Sequence, residues 1–183
     1  ADFTHYTAPT GGATTLLVPR LVRSFFDFNS GLSIQNVGTA TTNVSIQYRF
    51  GGNTYYQNYG NLAAGSSAIL YLPNVPALNP VDGLFPEDLR SGSAIITASQ
   101  PLVATVNENY SLQDGSIFRG FASSYTAFAA GSGSTSVGFS QVTSRFYGYS
   151  GGVQVQNVGT AATDLTSVWS APGYVDELAE HHN

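Results

Sequence analysis

Apolar and polar residues alternate along this chain with a period of two, the spacing of β-strands that bury one face and wet the other. The runs that carry it are 14–18, 21–28, 31–37, 42–50, 53–59, 66–72, 92–98, 101–109, 117–128, 136–147, 152–158 and 163–169. Turn-forming residues bound each of them. Gly51-Gly52-Asn53 falls between two alternating runs and signals a hairpin. So many short strands at this spacing predict an all-β chain, an antiparallel immunoglobulin-like β-sandwich.

The pattern also repeats. Gly31-Leu32-Ser33-Ile34-Gln35-Asn36-Val37-Gly38-Thr39-Ala40-Thr41-Thr42 recurs 121 positions later as Gly152-Val153-Gln154-Val155-Gln156-Asn157-Val158-Gly159-Thr160-Ala161-Ala162-Thr163. Gln35–Ala40 and Gln156–Ala161 are identical, and Phe25 aligns with Phe146. Around them Phe26/Tyr147, Phe28/Tyr149, Ile34/Val155, Val44/Leu165 and Tyr48/Trp169 keep their character. The second copy stops before any counterpart of the segments at Asn61, Gly92 and Gln100, so it reads as the opening of a β-domain whose sheet is unfinished. The expected organisation is an extended arm over 1–13, a sandwich over 14–130, a partial second repeat over 131–172 that packs on or continues the sandwich, and a polar tail over 173–183. Gly131-Ser132-Gly133-Ser134 reads as the joint between the two copies.

One stretch lacks the alternation. Residues 73–91 carry four prolines, and Val75, Leu78, Leu84, Phe85 and Leu89 read as anchors that hold this long loop against the body. A crossover that caps one end of the sandwich is the simplest reading, with a contact between subunits as the alternative. The tail 173–183 has the composition of one or two helical turns or of a solvated polar end.

Composition sharpens the picture. Hydrophobic residues make up 42%, enough for a core, but Asp, Glu, Lys and Arg together make up only 9% against about 25% in ordinary proteins. All six cations are Arg. A surface built from Ser, Thr, Asn, Gln, Gly and Tyr carries little self-repulsion and suits close packing against copies of itself. A net charge of −5 without a basic stripe argues against nucleic acid and anionic membranes, and no apolar run is long enough to span a bilayer. Cys and Met are both absent, which excludes disulfides and thiolate metal sites and fits an oxidising, extracellular location. Ala1 is read as the start of a mature chain after signal cleavage.

The search for chemistry returns little. The three histidines are His5, His181 and His182, all outside the strand framework, which disfavours a His general base or a three-ligand zinc site. No nucleophile elbow, phosphate loop or dinucleotide fingerprint occurs. Framework carboxylates are few, and Glu108 is expected to pair with Arg119 or Arg145. Asp82, Glu87 and Asp88 match no calcium-loop spacing. The reading is therefore no enzyme, no cofactor and no metal. Tyr55, Tyr56 and Tyr59, set among Asn53, Gln57 and Asn58, resemble a sugar-stacking platform and equally a packed protein interface.

The runs from Ser30 to Tyr48, from Asn61 to Ala68, from Gly92 to Ile96 and from Gln100 to Glu108 together resemble secreted bacterial cell-surface β-sandwich repeat proteins. That resemblance implies a β-sandwich without catalytic residues. The truncated second copy suggests completion by a neighbour's strand, as in donor-strand pilus subunits. The expected function is a non-enzymatic subunit of an extracellular filament or pilus whose partners are copies of itself. Its contacts would fall on Phe3, His5, Tyr6, Leu16, Leu17 and Val18 of a donated N-terminal segment and on Leu84 and Phe85 of the loop. The alternative is an adhesive or carbohydrate-binding module that uses Tyr55, Tyr56 and Tyr59.

Overall fold

Alternation at this density leaves the backbone one economical way to satisfy its polar groups, which is an antiparallel ladder, and the chain is indeed nearly all antiparallel β. The computed structural model describes residues 11–79, 90–110, 122–139, 142, 152–171 and 174–176. The strands are β1 (Ala13–Val22), β2 (Phe28–Asn36), β3 (Thr42–Phe50), β4 (Asn53–Leu62), β5 (Ser67–Tyr71), β6 (Ser91–Tyr110), β7 (Ala122–Thr126), β8 (Phe128–Ala129), β9 (Trp169–Ala171) and β10 (Tyr174–Asp176).

β6 organises the molecule. It is 20 residues long and changes neighbours halfway. Over Gly92–Ala98 it lies between β3 and β1, with β4 outside β3 and β8 outside β1. From Leu102 to Tyr110 it lies between β2 and β7, with β5 outside β2. The sequence pattern separates 92–98 from 101–109; the structure runs them as one strand. Pro101, which lacks an N–H, sits where the partners change, and its carbonyl still accepts from Val37 N at 2.9 Å. The inward residues of both ladders meet in a single core that includes Val18, Leu21, Leu32, Ile34, Ile46, Tyr48, Ile96, Leu102 and Val106.

Turn chemistry sets the hairpins. Gly51 and Gly52 have φ of 55° and 74°, the two left-handed residues that a tight β3–β4 connection requires. The β1–β2 connection uses Phe26 and Asp27 in the same way, at φ 48° and 65°, between a reciprocal backbone pair of Phe25 and Phe28. The expected strand over 21–28 is therefore two strand ends and a turn. Pro19 and Arg20 fall in a register shift of β1, a bulge that lets proline stand in a paired strand.

The loop after β5 begins with two 3-10 turns, Leu72–Asn74 and Pro76–Leu78, and buries Leu72, Val75 and Leu78. Two of the expected anchors, Val75 and Leu78, thus hold the loop down. Leu84, Phe85 and Leu89 lie outside the described residues, as do Phe3, His5 and Tyr6.

The second copy differs most from its expectation. Residues 152–158 and 163–168 form no strand, and of the run 163–169 only Trp169 enters one, the short β9–β10 hairpin. That hairpin occupies 174–176, where helical turns or a polar end were expected.

Candidate functional site

The two copies of the repeat allow a comparison within one molecule. In the first, Asn36 Nδ2 donates to Ala40 O at 2.8 Å and its Oδ1 accepts from Gly38 N at 2.9 Å. In the second, Asn157 Nδ2 donates to Ala161 O at 2.8 Å and its Oδ1 accepts from Gly159 N at 2.9 Å. The turn is the same because a short amide side chain bonding to its own backbone is a local interaction.

Their surroundings are not the same. Asn36 also donates to Leu62 O at 3.0 Å, and its backbone joins Ser66 and Gly65. Gly38 packs so closely on Gln100 that a methyl there would stand 2.5 Å from Gln100 Oε1. Around Asn157 these partners are missing among the described residues. Leu32, Ile34 and Val44 are 0%, 1% and 1% exposed, whereas their counterparts Val153, Val155 and Leu165 are 38%, 51% and 46% exposed. Val158 and Val168 are exposed as well. Gln156 makes one long contact to the body, Nε2 to Ala94 O at 3.4 Å, and its Oε1 is buried without a hydrogen-bond partner. The second copy thus has strand-forming sequence, a preformed turn and an apolar stripe in water.

The second feature is an open flank. β4 and β5 each have one ladder neighbour among the described residues, β3 and β2 respectively. β4 runs ten residues and β5 five, without a charged residue or a proline in either. Edge strands ordinarily carry such residues to block pairing with another chain. Between the two strands, beside the 3-10 turns, lies a groove of about 230 Å3 lined by Gln57, Ile69, Leu70, Tyr71, Val75 and Pro76 among others. Ile69 is 77% exposed on its rim, and Tyr71 and Tyr56 are also exposed. Sequence reasoning passed over Ile69 and Tyr71, since a strand pattern does not reveal which strand will be an edge.

The predicted contact residues distribute differently. Leu16, Leu17 and Val18 are buried in β1, paired with Ile96, Ile95 and Ala94 of the same chain, with Leu16 and Leu17 also paired to β8. They complete this molecule's own sheet, because apolar side chains on both faces of a segment favour a central strand over a donated one. Tyr55 packs partly buried against the core, and Tyr56 and Tyr59 are exposed. Neighbours on a strand point to opposite faces, so Tyr55 and Tyr56 cannot form one stacking surface. Tyr48 donates to Gln57 Oε1 at 2.8 Å, which engages one member of the amide set within the chain.

Charge in the described part is concentrated at one end of β1. Glu108 pairs with Arg20, whose Nε lies 2.9 Å from Oε1 and 3.2 Å from Oε2; Arg119 and Arg145, its expected partners, lie outside the described residues. Arg20 also stands 5.7 Å from the centroid of Phe25, and its backbone N donates to Tyr125 Oη at 3.1 Å while that hydroxyl donates back to its carbonyl. Burial pushes the Tyr125 phenol well above its ordinary range, with the Glu108 charge adding to the effect, and burial does the same to Tyr48. Arg23 is buried and donates through Nη1 to Leu78 O and through Nη2 to Asn79 Oδ1 at 2.6 Å, tying the 3-10 turns to β1; desolvation lowers its pKa. These groups act as structural clamps between β1, β6, β7 and the 3-10 turns. Among the described residues no three of His, Cys, Asp and Glu gather where they would hold a metal, and no helix is long and apolar enough to cross a membrane.

No family model matches the chain, and no curated protein matches it. Among solved structures it is similar to Thermotoga maritima 1070, at 14% identity and a TM-score of 0.49, over 64% of this chain and 95% of that one.

Proposed function

We propose that this protein is a non-enzymatic structural subunit of an extracellular filament, built on an immunoglobulin-like β-sandwich and polymerised by completion of β-sheets between copies. One observation carries the reading: the second copy of the repeat has the same preformed turn as the first, yet its apolar stripe is exposed and residues 152–168 have no ladder neighbour among the described residues. Exposed apolar side chains of this kind are stabilised by a partner that buries them. The uncharged edges of β4 and β5 and the low overall charge favour a partner of the same composition. A contact between unlike surfaces of identical chains is heterologous, and such contacts propagate into fibres when they do not close into rings.

The measurement that tests the proposal is negative-stain microscopy with sedimentation velocity over a hundredfold range of protein concentration. Filaments or a mass that rises with concentration support it. A monomer at every concentration refutes it.

A further inference from the structure

The second copy is two strand sequences joined by one turn, and they are not equally adhesive. Residues 152–157 repeat Gly31–Asn36 of β2 and keep both of its inward apolar positions, Leu32 as Val153 and Ile34 as Val155. The part that corresponds to β3 loses two of four, since Ile46 becomes Ser167 and Phe50 becomes Ala171. The adhesive segment is therefore the copy of β2. What β2 binds is on view in the same molecule: it pairs with β5, Leu32 opposite Leu70, Ser33 opposite Ile69 and Ile34 opposite Ala68.

β5 offers that chemistry a second time. Its other edge has no ladder neighbour among the described residues, carries no charge, and borders the groove between β5 and β4. We infer that residues 152–157 of one chain add as an antiparallel strand to the free edge of β5 in a second copy. The inference rests on the filament reading and assigns its contact. Strand addition supplies backbone hydrogen bonds to an edge that has no ladder partner among the described residues, and alternate side chains supply the fit. In this arrangement Val153 and Val155 lie on the same face as Ala68 and Leu70, over a groove whose lining includes Val75 and Pro76. Gln154 lies on the outer face with Ser67, Ile69 and Tyr71. Two carboxylates or two ammonium groups would oppose such a contact, and neither segment has any.

β4 is the competing edge. Its ladder neighbour is β3, so the copy of β3 would be its natural addition, and that copy has lost half of its inward apolar residues. Among the described residues one hydrogen bond joins 152–157 to the strands, the 3.4 Å contact from Gln156 to Ala94, and its length makes it a weak tether.

Because the chain has no cysteine, directed disulfides report the contact without background. Full-length Gln154→Cys is mixed under mild oxidation with full-length Ser67→Cys, Ile69→Cys or Tyr71→Cys, each substitution being at an exposed position. A heterodimeric disulfide with at least one of the three is expected, formed at least about tenfold faster than with Asn58→Cys on β4, because a disulfide needs Cβ atoms within about 4.5 Å. A second variant, Val155→Asp, places a charge where the inference buries a side chain. It should raise the concentration needed for assembly by about tenfold or more while leaving the melting temperature of the monomer unchanged. Assembly with Gln154→Cys linked to β4, or linked to none of these strands, overturns the β5 contact and leaves the filament reading standing. A chain that never assembles overturns both.

Discussion

Phe26 and Asp27 sit in a conformation that L-residues other than Asn and Asp seldom adopt, and Phe26 is 78% exposed. Its ring packs edge-on against Phe25 at 4.7 Å and touches no core. Left-handed backbone costs an ordinary residue about 1–2 kcal/mol, so replacing Phe26 by Asn and Asp27 by Gly should raise stability by about 1 kcal/mol. A urea titration that showed no gain would mean that the Phe25–Phe26 pair offsets the backbone cost. Tyr48 and Tyr125 make a second argument at this scale. Burial holds both phenols above the ordinary tyrosine value of about 10. In the unfolded chain they ionise near that value and in the folded chain they do not. The stability they lend is complete below about pH 10 and is lost as the pH rises beyond it. Thermal melts from pH 8 to 11 should show this decline, and Tyr48→Phe should flatten it at a cost of about 1 kcal/mol at neutral pH for the lost bond to Gln57.

Among elements, the repeat offers a matched pair of substitutions. Ile34 and Val155 occupy one sequence position in two contexts, the first buried in β2 and the second exposed. Ile34→Ala should destabilise the chain by about 2–5 kcal/mol, whereas Val155→Ala should leave the monomer within about 0.5 kcal/mol of wild type. Equal effects in denaturant titrations would show that the second copy is packed in the monomer. The β3–β6 ladder has its own sensitive point. A methyl on Gly92 would lie 2.3 Å from Arg49 O and 2.5 Å from the Phe50 ring, so Gly92→Ala should cost about 1–3 kcal/mol. The pairing of β6 with four strands explains why the cost is not local: a shift at Gly92 moves the strand that carries both ladders.

For the whole molecule, the first repeat should be self-sufficient. Among the described residues its core ends at Ala127, and its Arg20–Glu108 pair and the bonds of Arg23 to Leu78 and Asn79 lie within it. Removal of residues 131–183 should therefore leave the melting temperature within about 2 °C, because surface changes far from a core are nearly neutral. The same truncation should abolish assembly. A truncated chain that still forms filaments would move the contact to the first repeat, and one that fails to fold would show that the second copy contributes to the core.

How much of this was legible beforehand depends on the range of the interactions concerned. The β3 boundaries, Thr42–Phe50, and the Gly51-Gly52 hairpin follow from alternation and left-handed glycines, which are properties of a few adjacent residues. The turn at Asn36 and its replica at Asn157 are local in the same sense, and so they form in both copies. Tertiary contact decided everything else. The runs 31–37 and 152–158 have nearly the same pattern, and one is a strand while the other is not, because a strand exists only where another supplies its hydrogen bonds. It decided that Leu16, Leu17 and Val18 fill this chain's own core, that Glu108 finds Arg20, and that β5 has one ladder neighbour among the described residues and borders a groove. Period-two spacing states which side chains seek burial; which surface receives them is set by residues far away in the chain.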